Sequence, residues 1–401
     1  MLDLVKKSLI LFIAYWLLML LVGYELSFYT LKFVNNLDER FLIVARDYLA
    51  VGLILFLLGS CWIFLIKSKN GFINTRYIGF TLMPFLLVLC VCSVMFYLTY
   101  SAVGYVPLFH HVPGAKYFQD VTEIYVHYRP FYTLAINLSV AAIMALLIIY
   151  FYADSAKKKT RILLLLFLFV IMLALTGKRG AILLPFAYLL VGMYLIGRVK
   201  IVRLSIFFAF LVLIAGGLHL IFNSNDNLFV GMMDSISNSF FVGVRELARF
   251  LTNFEGENIY GLSYWASLTS FIPTSLNEIK DLYLYPRYLI LLEGGNPDLS
   301  GGPRGTYIGE TLANFGLIGF VITSWLFGVL FYFMFKMFLS VRYFRSNKLA
   351  FGFVGAFILH QLVLAFFENG SSFLFHFMSK FMFLYVLLYI SNRSARSVSE
   401  I

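Results

Sequence analysis

Uninterrupted apolar runs of about twenty residues constrain this chain more than any motif does. They recur at 8–30, 48–66, 78–100, 131–152, 162–177, 180–196, 204–222, 308–335, 350–367 and 371–390. At 1.5 Å per residue most of them match the roughly 30 Å of hydrocarbon in a bilayer. Lipid offers no partner to a backbone N–H or C=O, so only helices or closed barrels span it. Barrel strands would leave shorter, alternating segments, and the continuous runs predict an all-α integral membrane protein of about ten transmembrane helices. Hydrophobic residues make up 61% of the chain and charged residues 13%, too little charge to clothe a water-soluble fold of this size.

Charge placement predicts the orientation. With the N-terminus inside, the inner segments hold 18 of the 31 Lys and Arg but only three of the 20 acidic residues. Basic residues collect on cytoplasmic loops, so both termini are expected in the cytoplasm of a bacterial inner membrane. The same bias accounts for the net charge of +11 without a nucleic-acid partner. Lys6 and Lys7 precede a first run too long for a secretory signal and lacking a small-residue cleavage site, which reads as an uncleaved anchor. Cys61, Cys90 and Cys92 fall within runs, as small apolar residues rather than a disulfide framework. Residues 1–401 read as one membrane domain, with a large periplasmic loop, 223–307, between the seventh and eighth spans.

A loop of that length ordinarily carries function. Within it SISNSFFVGVRELARFL has apolar positions at helical spacing, and YWASLTSFIP is suited to lie in the interface or dip into the membrane. Tyr97, Tyr100, Tyr105, Tyr125, Tyr128, Tyr132, Tyr260 and Trp265 gather near the outer boundary, either as an interfacial belt or as stacking surfaces for sugar rings. No phosphate-binding G-x-x-x-x-G-K-[ST] loop, H-E-x-x-H or D-x-D occurs, so neither a nucleotide nor a metal cofactor is expected. His110, His111, Glu123 and His127 share one outer segment but lack metal-ligand spacing.

What remains is charge at the outer ends of helices. In LALTGKRGAILLPF, Lys178 and Arg179 stand at a tight turn beside a helix N-terminus, where free N–H groups and guanidinium donors suit phosphate oxygens. In GGPRGTYIGETLANFGLIGF, Arg304 and Glu310 flank the eighth span, and Arg245, Arg249 and Arg287 lie in the large loop on the same side. A carboxylate among arginines stays ionised and can take a proton, which makes Glu310 the leading general base, with Glu246 or Glu293 behind it. The plainer reading of Glu310 is an acid in a helix first turn. Together these features suit an anionic, membrane-borne substrate, such as a sugar-bearing lipid diphosphate whose leaving group is already activated.

The segment IGETLANFGLIGFVITSWLFGVL resembles the I-G-E-x-x-x-N-F-G-x-x-G segment of bacterial oligosaccharide repeat-unit (O-antigen, Wzy-type) polymerases, and TGKRGAILLPF resembles their T/S-G-x-R-G-A hairpin. Arg179 matches the hairpin arginine expected to meet diphosphate, and Gly309, Glu310, Asn314 and Gly316 match the second segment. Arg245 to Gly256 fits, once, the R-x10-G spacing of some members' loops. The resemblance implies a GT-C-like fold and a glycosyltransferase that moves a growing glycan from undecaprenyl diphosphate to a new lipid-linked repeat unit at the periplasmic face. Its implied partners are a chain-length regulator and a flippase. Two alternatives stay open. One is an O-antigen ligase or other polyprenyl-linked glycosyltransferase, for which Asp38 and Glu39 offer a base. The other is a flippase, for which Lys380 and His376 are the intramembrane candidates.

Overall fold

The apolar runs form helices, and short local signals end them. Pro84 opens one helix, whose far end stops at Gly104 in the left-handed region, where its N–H bonds Tyr100 O. Ser155 caps another by accepting from Lys158 N. The computed structural model describes residues 2–28, 39–61, 79–110, 118, 121–177, 179–207, 209–210, 242–269, 277–295, 305–339, 344, 347–367 and 372–399. In chain order, α1 is Leu2–Leu18, extended through a π turn at Met19–Gly23 to Phe28, and α2 is Glu39–Ser60. Then come α3 (Met83–Val103), α4 (Thr122–Tyr152), α5 (Ala156–Leu175) and α6 (Arg179–Leu195). The loop region contributes α7 (Val242–Asn253), α8 (Leu262–Leu268), α9 (Glu278–Tyr283) and α10 (Tyr285–Leu292). The chain closes with α11 (Tyr307–Leu339), α12 (Lys348–Phe367) and α13 (Ser372–Ser399).

Among the described residues six helices are long and apolar enough to cross a membrane: α1 to Phe28, α2, α3, α4 from His127, α11 to Met337, and α12. The protein is an all-α membrane protein. Three further expected runs are also helices, α5, α6 and α13; α5 opens on Lys157, Lys158, Lys159 and Arg161, and α6 has 17 residues. The run at 204–222 lies largely outside the described residues. Two boundaries differ from expectation. Helix α2 starts at Glu39 rather than 48, carrying Arg46 and Asp47, paired at 3.1 Å, on its exposed face. Helix α4 starts at Thr122 and passes through Pro130, which removes one ladder bond without ending the helix.

Helices α4 and α12 form the centre. Every residue from Val140 to Ile149 is buried, as expected of a helix apolar all round. Around them α2 packs along α11, α6 along α12, α3 along α4, and α7 across α2. Glycines permit two of these crossings. A Cβ on Gly59 would strike Trp325 O and one on Gly328 would strike Phe56 O; Gly192 and Gly352 oppose each other in the same way. Lipid supplies no hydrophobic drive between apolar helices, so close backbone approach at small residues is a main source of cohesion. A cluster of rings, Phe12, Trp16, Phe56, Phe327, Phe331 and Phe366, fills the space between α1, α2, α11 and α12, and Trp16 Nε1 donates to Leu49 O at 3.0 Å. Outward-facing Leu86, Leu87, Leu163, Leu164 and Phe167 complete the pattern of a bilayer-solvated surface.

Candidate functional site

The sequence predicts one continuous span over 308–335, and here the structure departs from it. Gly316 has φ 64° and ψ −154°, a conformation open to glycine, and it divides α11 into two arms. In an unbroken helix Tyr307 and Phe327 would lie about 30 Å apart. Their ring centroids are 5.3 Å apart, Thr323 Oγ1 donates to Thr311 Oγ1 at 3.3 Å, and a Cβ on Gly52 would touch both Ile308 and Phe320. The arm 307–315 therefore folds back antiparallel along the arm 317–337, which alone measures about 31 Å and suffices to cross the hydrocarbon. Non-helical backbone at membrane depth survives where protein buries it or where it lines a cavity. The carbonyls left open near the bend are paired: Ile259 N donates to Ala313 O and Tyr260 N to Asn314 O, at 2.9 and 3.0 Å.

The short arm carries Glu310 about 9 Å below the bend. Thr306 caps it, its Oγ1 accepting from Gly309 N at 3.0 Å, and Glu310 sits in the first turn, where the helix dipole favours a negative charge. Glu310 is 0% exposed. Ser263 Oγ, from α8, donates to Glu310 Oε1 at 2.7 Å. With that proton committed, the Ser263 oxygen accepts from Asn314 Nδ2 at 2.7 Å, and the same amide donates to Glu310 O at 2.7 Å. Asn314 Oδ1, in turn, is buried with no hydrogen-bond partner among the described residues. A buried acceptor left so costs about 1–3 kcal/mol unless a ligand fills it. Tyr264 Oη bonds Thr311 Oγ1 at 3.0 Å, and burial, then the Glu310 charge, push its phenol up, which keeps its hydroxyl proton in place.

Tyr285 closes the other side. Its ring occupies the space where Gly305 would carry a Cβ, its hydroxyl the space where Gly309 would, with Phe250 of α7 alongside. Burial, and after it Glu310, push this phenol up too, and its hydroxyl has no hydrogen-bond partner among the described residues. Through Phe250, α7 brings its arginines to the same place. Arg249 grips Glu293 with two bonds, Nε to Oε1 at 2.5 Å and Nη2 to Oε2 at 2.6 Å, and reaches Glu246 at 4.0 Å, while Arg245 reaches Glu246 at 3.5 Å. A second basic group draws on three elements, Arg129 of α4, Lys280 of α9 and Arg287 of α10. Burial, then the Arg287 and Arg129 cations, hold the Lys280 ammonium below the usual lysine range.

Of the residues named from sequence, Glu310 and Asn314 meet directly, Arg245 and Arg249 share α7 with Phe250 and pair with Glu246 and Glu293, and Arg287 stands in the second basic group. Arg249, expected as an anion contact, spends both faces of its fork on carboxylates, Glu293 foremost. Arg304, Lys178 and the Arg179 side chain lie outside the described residues; Arg179 begins α6. His110 stacks on Tyr105 at 4.0 Å, and His111 lies outside the described residues. Within the aromatic group Tyr125 and Tyr132 pack against Phe118 in the core, whereas Tyr97, Tyr260 and Trp265 remain exposed. Sequence reasoning missed Ser263, Tyr285 and Arg129. For Tyr285 a signal existed: Gly305 and Gly309, one turn apart, leave a slot for a large ring. Comparison with protein-family models, with curated proteins and with solved structures finds no match.

Proposed function

We propose that the protein is a lipid-linked oligosaccharide polymerase, transferring a growing glycan from a polyprenyl diphosphate to the sugar end of a new lipid-linked repeat unit. Glu310 is the general base that takes the proton of the attacking hydroxyl. Asn314 Oδ1 and the Tyr285 hydroxyl orient sugar hydroxyls, and Arg179, Arg304 and Lys178, with the Arg129, Lys280 and Arg287 group, hold the diphosphate. The observation that carries this reading is a fully buried carboxylate on a folded-back arm, held by Ser263 and flanked by two buried polar atoms without hydrogen-bond partners among the described residues. Dedicated structure of this kind is costly in a membrane and persists where it serves chemistry. The site is proposed to open to the periplasmic side of the inner membrane, with a chain-length regulator and a flippase as pathway partners.

The test is a deletion strain complemented with Arg179→Ala, Arg304→Ala or Glu310→Gln. The reading expects each protein in the membrane and surface polysaccharide reduced from a ladder to single repeat units. Normal ladders from all three would dismiss it, and loss of any attachment to lipid A core, with polymer still made, would point to a ligase. A transport reading has one observation on its side: Tyr188 Oη bonds His360 Nδ1 at 2.9 Å inside the bundle, with Lys380 within electrostatic reach. Purified protein in liposomes separates the two, because lengthened product requires transfer.

A further inference from the structure

We infer that α8 lies in the bilayer itself, with its Trp265–Leu268 face against lipid at the depth of Glu310. Helix α8 is two-sided. Ser263, Ala266 and Ser267 are buried, Ser263 against the folded-back arm, whereas Trp265 is 55% and Leu268 62% exposed, one turn apart on the opposite side. Its depth follows from its bonds. Ser263 reaches Glu310 and Tyr264 reaches Thr311, about one and a half turns from the bend at Gly316, and Thr311 in turn accepts from Thr323 of the crossing arm. So α8 runs alongside the outer part of the membrane-crossing arm rather than above it.

That arm shows which solvent covers this level. Leu317, Ile318, Ile322 and Trp325 form an exposed stripe on it, Ile318 at 75%, and such a stripe on a crossing helix faces lipid. The stripe continues without a break onto α8: Phe315, itself exposed, stacks on Tyr264 at 6.0 Å and fills the space beside Gly261. Tyr260 supports the same placement. It takes φ 45°, in the left-handed region that a non-glycine residue enters at a cost, and its ring is left 80% exposed at the bend. A tyrosine and a tryptophan at such a level are the side chains that membrane boundaries select. The occupant is therefore bilayer lipid. One consequence is that only the thickness of α8 separates Glu310 from the acyl chains, so an amphiphile can approach it sideways from the membrane.

The placement stands apart from the proposed transfer chemistry and is tested without it. Full-length protein and Trp265→Phe, each in lipid nanodiscs, differ in fluorescence only by Trp265, one of four tryptophans. The difference spectrum is expected to be blue-shifted and to lose about half its intensity when the lipid carries bromine near the glycerol end of its acyl chains, with little effect of aqueous iodide. Leu268→Trp in the Trp265→Phe background is expected to respond alike, which guards against one side chain misreporting. Quenching by iodide with no effect of brominated lipid would overturn the inference, and so would shielding from both quenchers.

Discussion

At the scale of single residues, the buried polar atoms separate structural from functional roles. Ser263 satisfies both Glu310 and Asn314, so Ser263→Ala strips two buried groups of a partner and is expected to lower stability by about 1–3 kcal/mol in thermal or denaturant unfolding of the detergent-solubilised protein. Tyr285→Phe is the contrasting case. Its hydroxyl bonds nothing among the described residues, so stability should hold or rise slightly, while elongation falls if that hydroxyl meets the sugar. Equal loss of stability in both variants would mean that Tyr285 has a structural partner after all. Glu310 was legible as an acid at the end of an apolar run, and Asn314 was named only through the resemblance carried by IGETLANFG. Ser263 was not, since a serine in an apolar helix looks the same whether its hydroxyl meets a carboxylate 47 positions away or the preceding turn.

At the scale of elements, the bend at Gly316 decides the site. Any side chain there meets φ 64° with ψ −154°, a region that costs a non-glycine residue about 1–3 kcal/mol or forces the arm to straighten. Gly316→Ala is therefore expected to lower the unfolding midpoint and, by shifting Glu310 away from Ser263, to reduce elongation more than the stability loss alone explains. A variant with unchanged midpoint and activity would contradict a required fold-back. The bend was hidden in the sequence for a physical reason. Both arms are apolar and helical, so hydropathy runs across 307–337 without interruption, and glycines inside a membrane helix usually signal close packing instead. The opposite error occurred at Pro130, which the sequence reading took as a boundary and the helix absorbs.

At the scale of the whole molecule, cohesion rests on helices meeting at glycines around the buried pair α4 and α12, rather than on water-driven burial. Gly59→Leu would drive a side chain into the backbone of Trp325, separating α2 from α11, and should abolish the monodisperse peak in size-exclusion chromatography; the same change at Gly104, whose missing Cβ meets nothing, should cost only its left-handed cap. The helical membrane class was legible because bilayer thickness imposes a length on every crossing element. The assembly of the site was not, because α7 to α10 are short and amphipathic, and their positions follow from tertiary contacts such as Phe250 with Tyr285 and Ser263 with Glu310. The account as a whole rests on Glu310 acting as the base. Purified protein and Glu310→Gln, an isosteric change that keeps an oxygen for the Ser263 hydroxyl, can be reconstituted in liposomes with a polyprenyl-diphosphate-linked repeat unit, and product length followed over time. The predicted result is a fall in elongation of about 100- to 10,000-fold with unfolding unchanged; elongation at the wild-type rate would contradict it.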